Sequence, residues 1–144
     1  MLKKINNYDL CVCDMSGNVF KLSVERGYDS RKFIETLMNS DLGQMLYKKD
    51  ILGEWLSDTF VMEGIENELH PIQGEVYNEE FMYWIGYLFK YWGIIYENET
   101  AKDMITQAPI DTLLASYIGL HVMFFDDVIL ELKSIYEEKK ENRR

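Results

Sequence analysis

The stretch FMYWIGYLFKYW, residues 81–92, constrains the fold more than any other part of the chain. Seven of its twelve residues are aromatic, and Lys90 carries its only charge. On a helix of 3.6 residues per turn, the bulky side chains cover nearly the whole circumference. A helix that is apolar almost all round is buried almost all round. The stretch therefore predicts a central helix, at about residues 78–97, with other helices packed around it.

The residues that flank this stretch mark where the helix begins. Asn78 is a favourable N-cap, and Glu79 and Glu80 follow it in the first turn, where the helix dipole favours carboxylates. Gly86 and Gly93 lie two turns apart on the one strip that lacks bulky side chains. We expect a neighbouring part of the chain to approach the helix closely at these glycines.

The rest of the chain favours a mainly α, single-domain bundle of about six helices around this central helix. A length of 144 residues is typical of one domain, and a hydrophobic content of 47% is typical of a globular protein. Helical periodicity and start signals recur along the chain, at about residues 29–40, 41–47, 52–68, 100–107, 109–121 and 126–138. Residues 139–144 have mixed charge and are predicted to form a frayed tail.

Residues 8–26 leave two alternatives open. Apolar residues alternate weakly on both sides of Ser16-Gly17-Asn18, which is typical of a short β-hairpin. The same segment also fits a helix that starts near Ser16 or Asn18 and ends at Gly27, with Gly27 as a left-handed terminating residue.

The net charge of −10 is concentrated in one third of the chain. Residues 50–80 contain nine acidic residues and no Lys or Arg, whereas residues 1–49 contain eight basic and six acidic residues. A negative field repels nucleic acid phosphates and anionic membranes, and it attracts basic protein surfaces. The distribution therefore predicts a partner with a basic surface, no direct binding of nucleic acid and no membrane association. The alternative is that the acidic region only keeps the protein soluble.

We predict that these acids and the tyrosines of the central helix form a partner-binding surface. Carboxylates steer the encounter with a basic partner, aromatic side chains supply much of the affinity, and a buried tyrosine hydroxyl needs a polar partner. The predicted residues are Glu54, Asp58, Glu63, Glu66, Glu68, Glu75, Glu79, Glu80, Tyr83, Tyr87 and Tyr91.

Signals of catalysis are sparse. His70 and His121 lie on different predicted elements without the spacing of a metal site or a catalytic triad, and His121 is expected to be a hydrogen-bonded core residue. Cys11 and Cys13 are too close for an ordinary disulfide, and no second pair accompanies them as in a zinc site. We therefore predict a protein that is not an enzyme and that has no cofactor and no metal.

An alternative from a different class is a small enzyme or ligand-binding domain, with a pocket lined by Tyr83, Tyr87 and Tyr91. The chain has no run of eighteen apolar residues, and its first residues lack an apolar secretory segment. We therefore expect a cytoplasmic protein.

Three segments, VERGYDSRKFIETLMNSDLG (24–43), YWIGYLFKYW (83–92) and TAKDMITQAPIDTLLASYIGLH (100–121), resemble a family of small acidic bacterial proteins. Members of that family are often encoded beside a predicted ADP-ribosyltransferase-like protein, in antitoxin-style cassettes. The resemblance spans about residues 18–138, and its marker is Tyr83-Trp84-Ile85-Gly86-Tyr87 followed by Lys90 and Trp92.

The resemblance transfers no catalytic residue. It implies an antitoxin or accessory protein that neutralises an enzyme by direct contact, and the partner it implies is an ADP-ribosyltransferase-like toxin. Another binding role remains as an alternative. A phage-type anti-defence inhibitor would present carboxylates where a nuclease expects DNA phosphates.

Overall fold

The computed structural model describes residues 4–48 and 57–142, which form eight α-helices and contain no β-strand. The helices are α1 (Asn7–Glu25), α2 (Ser30–Asn39), α3 (Asp41–Leu46), α4 (Asp58–Leu69), α5 (Glu79–Ile95), α6 (Ala101–Gln107), α7 (Ile110–Leu120) and α8 (Phe125–Asn142). The predicted helical bundle is confirmed, with eight helices in the described part instead of about six. Of the helix predicted at 52–68, residues 52–56 lie outside the described residues, and the remainder corresponds to α4.

The aromatic helix is at the centre of the bundle, as predicted. The side chain of Asn78 accepts hydrogen bonds from the backbone N–H groups of Glu80 and Phe81, which fixes the start of α5. α1 packs along α5 more extensively than any other helix does, and α6 and α8 also contact it. One continuous apolar core contains buried residues from all eight helices. Among its largest members are Phe20, Tyr47, Phe89 and Trp92.

The N-terminal segment is a helix, so the hairpin alternative is wrong. The helix alternative had the correct end, but its predicted start near Ser16 or Asn18 is also wrong, because α1 begins at Asn7. Asn6 and Asp9 form a capping box at the start of α1, and Gly27 follows the end of the helix with a φ of 75°. Ser16-Gly17-Asn18 lies within the helix. The hydroxyl of Ser16 donates to the carbonyl oxygen of Gly86 at 2.7 Å, so these residues face α5. Tertiary packing therefore overrides the local turn signal.

The two glycines of α5 allow the close approach that their spacing predicted. A Cβ atom on Gly86 would lie 2.5 Å from the carbonyl oxygen of Ser16 in α1. A Cβ atom on Gly93 would lie 2.1 Å from the carbonyl oxygen of Tyr47, just after α3. Both distances are too short for any side chain, so only glycine fits at these two contacts.

Lys90, the one charged residue in the aromatic stretch, is completely buried. Its Nζ donates hydrogen bonds to the carbonyl oxygens of Leu46 at 2.7 Å and Lys48 at 2.9 Å, at the C-terminal end of α3. That end of a helix carries partial negative charge, so the ammonium group lies where the helix dipole favours it. Burial nevertheless lowers the pKa of Lys90 to about 8.

α7 and α8 differ from the sequence predictions in three ways. His121 is exposed, so its predicted core position is wrong, although its Nδ1 lies 2.8 Å from the carbonyl oxygen of Tyr117. α8 begins at Phe125, one residue before the predicted start at about 126, so Asp126 lies in its first turn. α8 continues to Asn142, so residues 139–142 of the predicted tail are helical and exposed.

Candidate protein-binding surface

The predicted acidic residues lie on two parts of the surface. Glu54 lies outside the described residues. Asp58, Glu63, Glu66 and Glu68 belong to α4, and Glu75 belongs to the connection between α4 and α5. Glu79 and Glu80 form the first turn of α5, where they line an open cleft with Asn18, Lys21 and Tyr83.

Glu66 differs from the other predicted acids because it binds the end of α1. Its Oε1 lies 2.6 Å from Nη1 of Arg26, and its Oε2 accepts a short hydrogen bond from the hydroxyl of Tyr28. The hydrogen bond from Tyr28, and after it the contact with Arg26, lowers the pKa of the Glu66 carboxyl group. Glu66 therefore connects α4 to the segment after α1 and is already neutralised by a cation.

The remaining acids are solvated. Glu63, Glu68, Glu75, Glu79 and Glu80 are all exposed, and none of them makes an ion pair within residues 4–48 and 57–142. An unpaired surface carboxylate keeps its full charge, so these side chains maintain a negative potential at the surface.

The three predicted tyrosines form a half-buried ridge on α5 between α1 and α8. The hydroxyl of Tyr83 donates a short hydrogen bond to Asp14 of α1, and that of Tyr91 donates to Asp126 of α8 at 2.8 Å. Tyr87 stacks on Phe125, with ring centroids 4.8 Å apart. The ridge thus holds both neighbouring helices against α5, and its rings pack together instead of lining a deep pocket.

The environment of this ridge predicts a distinct alkaline titration. Burial raises the pKa of Tyr87 to about 12, and burial together with the carboxylate hydrogen bonds also raises the pKa of Tyr83 and of Tyr91. A raised pKa in the folded state contributes stability that is complete below pH 10 and is lost as the pH rises through about 12. We expect ultraviolet absorbance to detect tyrosinate at Tyr87 only near pH 12. If the absorbance change near pH 10 is smaller in Tyr87→Phe than in the wild type, Tyr87 ionises near pH 10 and the assigned environment is wrong.

An apolar surface that the sequence analysis missed lies on the outer side of α7 and in the turn to α8. It consists of five exposed side chains, which we call the apolar strip: Leu114, Ile118, Val122, Met123 and Phe124. Ile118, Val122 and Phe124 are 80%, 78% and 82% exposed. The signal was present in the sequence, because residues 112–125 contain no Asp, Glu, Lys or Arg. Helical periodicity predicted a helix at 109–121 but did not identify which of its apolar side chains are exposed.

The acidic surface and the apolar strip adjoin each other. Tyr117 of α7 packs edge-on against Phe81 and Trp84 of α5, with ring centroids 5.1 and 5.3 Å apart. Burial raises the pKa of Tyr117, and the charge of Glu80 raises it further. Glu80 directly precedes Phe81, so the acidic first turn of α5 leads into the part of that helix that contacts α7.

An apolar groove lies between α2 and the C-terminal end of α4. It has a volume of about 190 Å³ and is lined mainly by apolar side chains, with Lys32 and His70 at its edge. Small-molecule sites usually occupy about 300–1,000 Å³ and converge several polar groups. The volume of this groove is below that range.

The described residues contain neither a metal-binding cluster nor a membrane-spanning helix. No group of three or more His, Cys, Asp or Glu side chains in residues 4–48 and 57–142 is arranged to hold a metal ion. None of the described helices is both long enough and apolar enough to cross a membrane.

Comparison of the chain with protein-family models, with curated proteins and with solved structures gave no match. The family resemblance carried by residues 24–43, 83–92 and 100–121 therefore stays a prediction.

Proposed function

We propose that the protein is a non-catalytic, cytoplasmic binding module that neutralises a partner protein by direct contact. The observation that carries this proposal is the set of exposed carboxylates on α4 and at the start of α5, which make no ion pair in the described structure. Such carboxylates attract a basic surface and accelerate its association. The structure of α5 adds a rigid support, because its first turn is fixed by a side-chain cap.

The partner we propose is an ADP-ribosyltransferase-like toxin, as the family resemblance implies. An antitoxin of this type needs no active site of its own, because it acts by covering the active site of its target. The proposal predicts that an equimolar amount of the protein abolishes the transferase activity of the partner. A phage-type inhibitor of a nuclease would instead compete with DNA for its target, and a DNA competition assay separates the two roles.

Charge reversal on the acidic surface tests the proposal. We expect the triple variant Glu63→Lys, Glu68→Lys, Glu79→Lys to bind the partner at least about tenfold more weakly at low ionic strength, mainly through slower association. The loss should shrink at high salt, where the charges are screened. Glu66 is left unchanged because its replacement would break the contacts with Arg26 and Tyr28. The measurement is surface plasmon resonance against the partner captured from the source cells.

A matched control separates the location of the charges from the total charge. The variant Glu25→Lys, Glu35→Lys, Glu138→Lys changes three other exposed acids and alters the net charge by the same amount. We expect it to bind as the wild type does. If it weakens binding as much as the first variant, the acidic surface of α4 and α5 has no specific role.

A further inference from the structure

We propose that the apolar strip is the docking site for an amphipathic helix of the partner protein, with Lys or Arg residues flanking its apolar face. This inference rests on the proposed function, because it assigns the apolar contacts of the same partner-binding surface. It adds the binding mode, the part of the surface that supplies affinity and the chemical character of the partner segment.

The first argument is the amount of exposed apolar surface in one place. Single exposed apolar side chains are common, but contiguous patches of them mark interaction sites. Leu114 and Ile118 are one turn apart on the outer face of α7, and Val122, Met123 and Phe124 continue directly from the end of that helix. No charged side chain interrupts the chain between residues 112 and 125.

The second argument is the shape of the outer face of α7. Ala115 and Gly119 are exposed and lie one turn apart beside Leu114 and Ile118. A Cβ atom on Gly119 would meet no atom within 4 Å, so the space above this part of α7 is open. Small residues next to bulky ones form a groove into which the side-chain ridge of a second helix packs. The face therefore suits a helix better than an extended segment.

The third argument is charge, and it identifies the kind of helix. Residues 103–132 contain five acidic residues and no Lys or Arg. Asp126, Asp127 and Glu131 are exposed in the first two turns of α8, directly after the strip, and the exposed Glu80 precedes Phe81, which packs on Tyr117 of α7. A second copy of this chain would bring like charges together around the contact, as would an anionic membrane. Lys or Arg residues that flank an apolar helix face complement this acidic rim.

Two designed peptides provide a direct test. One is an amphipathic Leu/Lys helix labelled with a fluorophore, and the other is a Leu/Glu helix with the same leucine positions. We expect the Leu/Lys peptide to bind, as measured by fluorescence anisotropy at low ionic strength, and the Leu/Glu peptide to bind at least about tenfold more weakly. Equal binding of the two peptides would overturn the inference about charge.

Neutral substitutions locate the site without changing the net charge. We expect Ile118→Asn with Val122→Asn to weaken binding of the Leu/Lys peptide at least about tenfold, because these side chains supply the apolar contacts. Phe60→Asn is the matched control, since Phe60 is 54% exposed on α4 among the acidic residues. Equal losses in the two variants would overturn the proposed docking site. Circular dichroism before each titration confirms that the variants are folded.

Sedimentation of the wild-type chain tests the alternative that a second copy of this chain covers the apolar strip. We expect a monomer, and a dimer that dissociates in Ile118→Asn would overturn the proposal because a second copy would then cover the strip. The partner captured from the source cells separates this inference from the proposed function. If that partner binds with dependence on Glu63 and Glu68 but not on Ile118 and Val122, the docking site is wrong and the proposed function stands. If Ile118 and Val122 matter for the Leu/Lys peptide while no partner is neutralised, the docking site stands and the proposed function fails.

Discussion

Replacement of Gly86 by alanine is expected to lower the free energy of unfolding by about 3 kcal/mol or more, which is at the upper end of the cost of overpacking a core. The new Cβ atom would lie 2.5 Å from the carbonyl oxygen of Ser16 and 2.9 Å from the ring of Phe20. The carbonyl belongs to the backbone of α1, so it cannot rotate away as a side chain does. α1 would have to separate from α5 along its most extensive contact.

Gly64→Ala is the matched control for this prediction. Gly64 lies within α4, and a Cβ atom there would meet no atom within 4 Å. Alanine is the better helix former, so this variant should gain about 0.5–1 kcal/mol. Urea denaturation followed by circular dichroism measures both values. If Gly86→Ala costs no more than Gly64→Ala, the close contact between α1 and α5 is wrong.

The second large effect is expected at Lys90. Lys90→Ala should lower the free energy of unfolding by about 3 kcal/mol or more, because it leaves a cavity and removes the donor to one buried and one partly buried carbonyl group. The carbonyls of Leu46 and Lys48 lie at the end of α3, so loss of the ammonium group also releases that helix from α5. Lys90→Met keeps most of the volume and should cost less, since only the hydrogen bonds are lost. Urea denaturation near neutral pH gives both values.

The buried ammonium group also predicts how stability depends on pH. The pKa of Lys90 falls from 10.5 to about 8 on folding because of burial, so the unfolded chain binds more protons between these values. Stability therefore rises with pH in that window. Cys13, also buried, has its pKa raised from 9.0 to about 12, which lowers stability above pH 9. The free energy of unfolding should therefore show a net rise of about 1 kcal/mol between pH 8 and 9.

Lys90→Met separates the two contributions, because it keeps Cys13 and removes the amine. We expect the rise between pH 8 and 9 to be absent in this variant. A wild-type profile that is flat or falling in this range, or a rise that persists in Lys90→Met, would contradict the assigned environment of Lys90.

The starts of several helices could be predicted, because they depend on side chains that are close together in the sequence. Asp29, Asn78 and Thr100 were recognisable as helix-start residues, and in the structure the side chain of each accepts a backbone N–H of its own first turn. These interactions span only three residues, so the sequence contains both partners. The central position of α5 was predictable for a similar reason, because its apolar residues leave no polar face for solvent.

Predictions failed where a distant contact decided the outcome. Ser16-Gly17-Asn18 has the composition of a turn, yet contact with Gly86 holds it within a helix. The sequence made no prediction of a partner for Lys90, whose ammonium group is covered by the end of α3 in the structure. His121 was expected in the core, yet no part of the described chain covers that side of α7.

The candidate site, like the fold, could be predicted from the sequence only in part. The sequence by itself determined that the protein has a strongly acidic region and a central aromatic helix, because charge and helical periodicity are properties of residues close in the chain. Only the tertiary structure decided which of these groups are available to a partner. Glu66 is engaged by Arg26 and Tyr28, and the hydroxyls of Tyr83 and Tyr91 are engaged by neighbouring helices, whereas Ile118 and Phe124 are exposed. The physical reason is that burial depends on which elements pack together, and an apolar face looks the same in sequence whether another helix covers it or not.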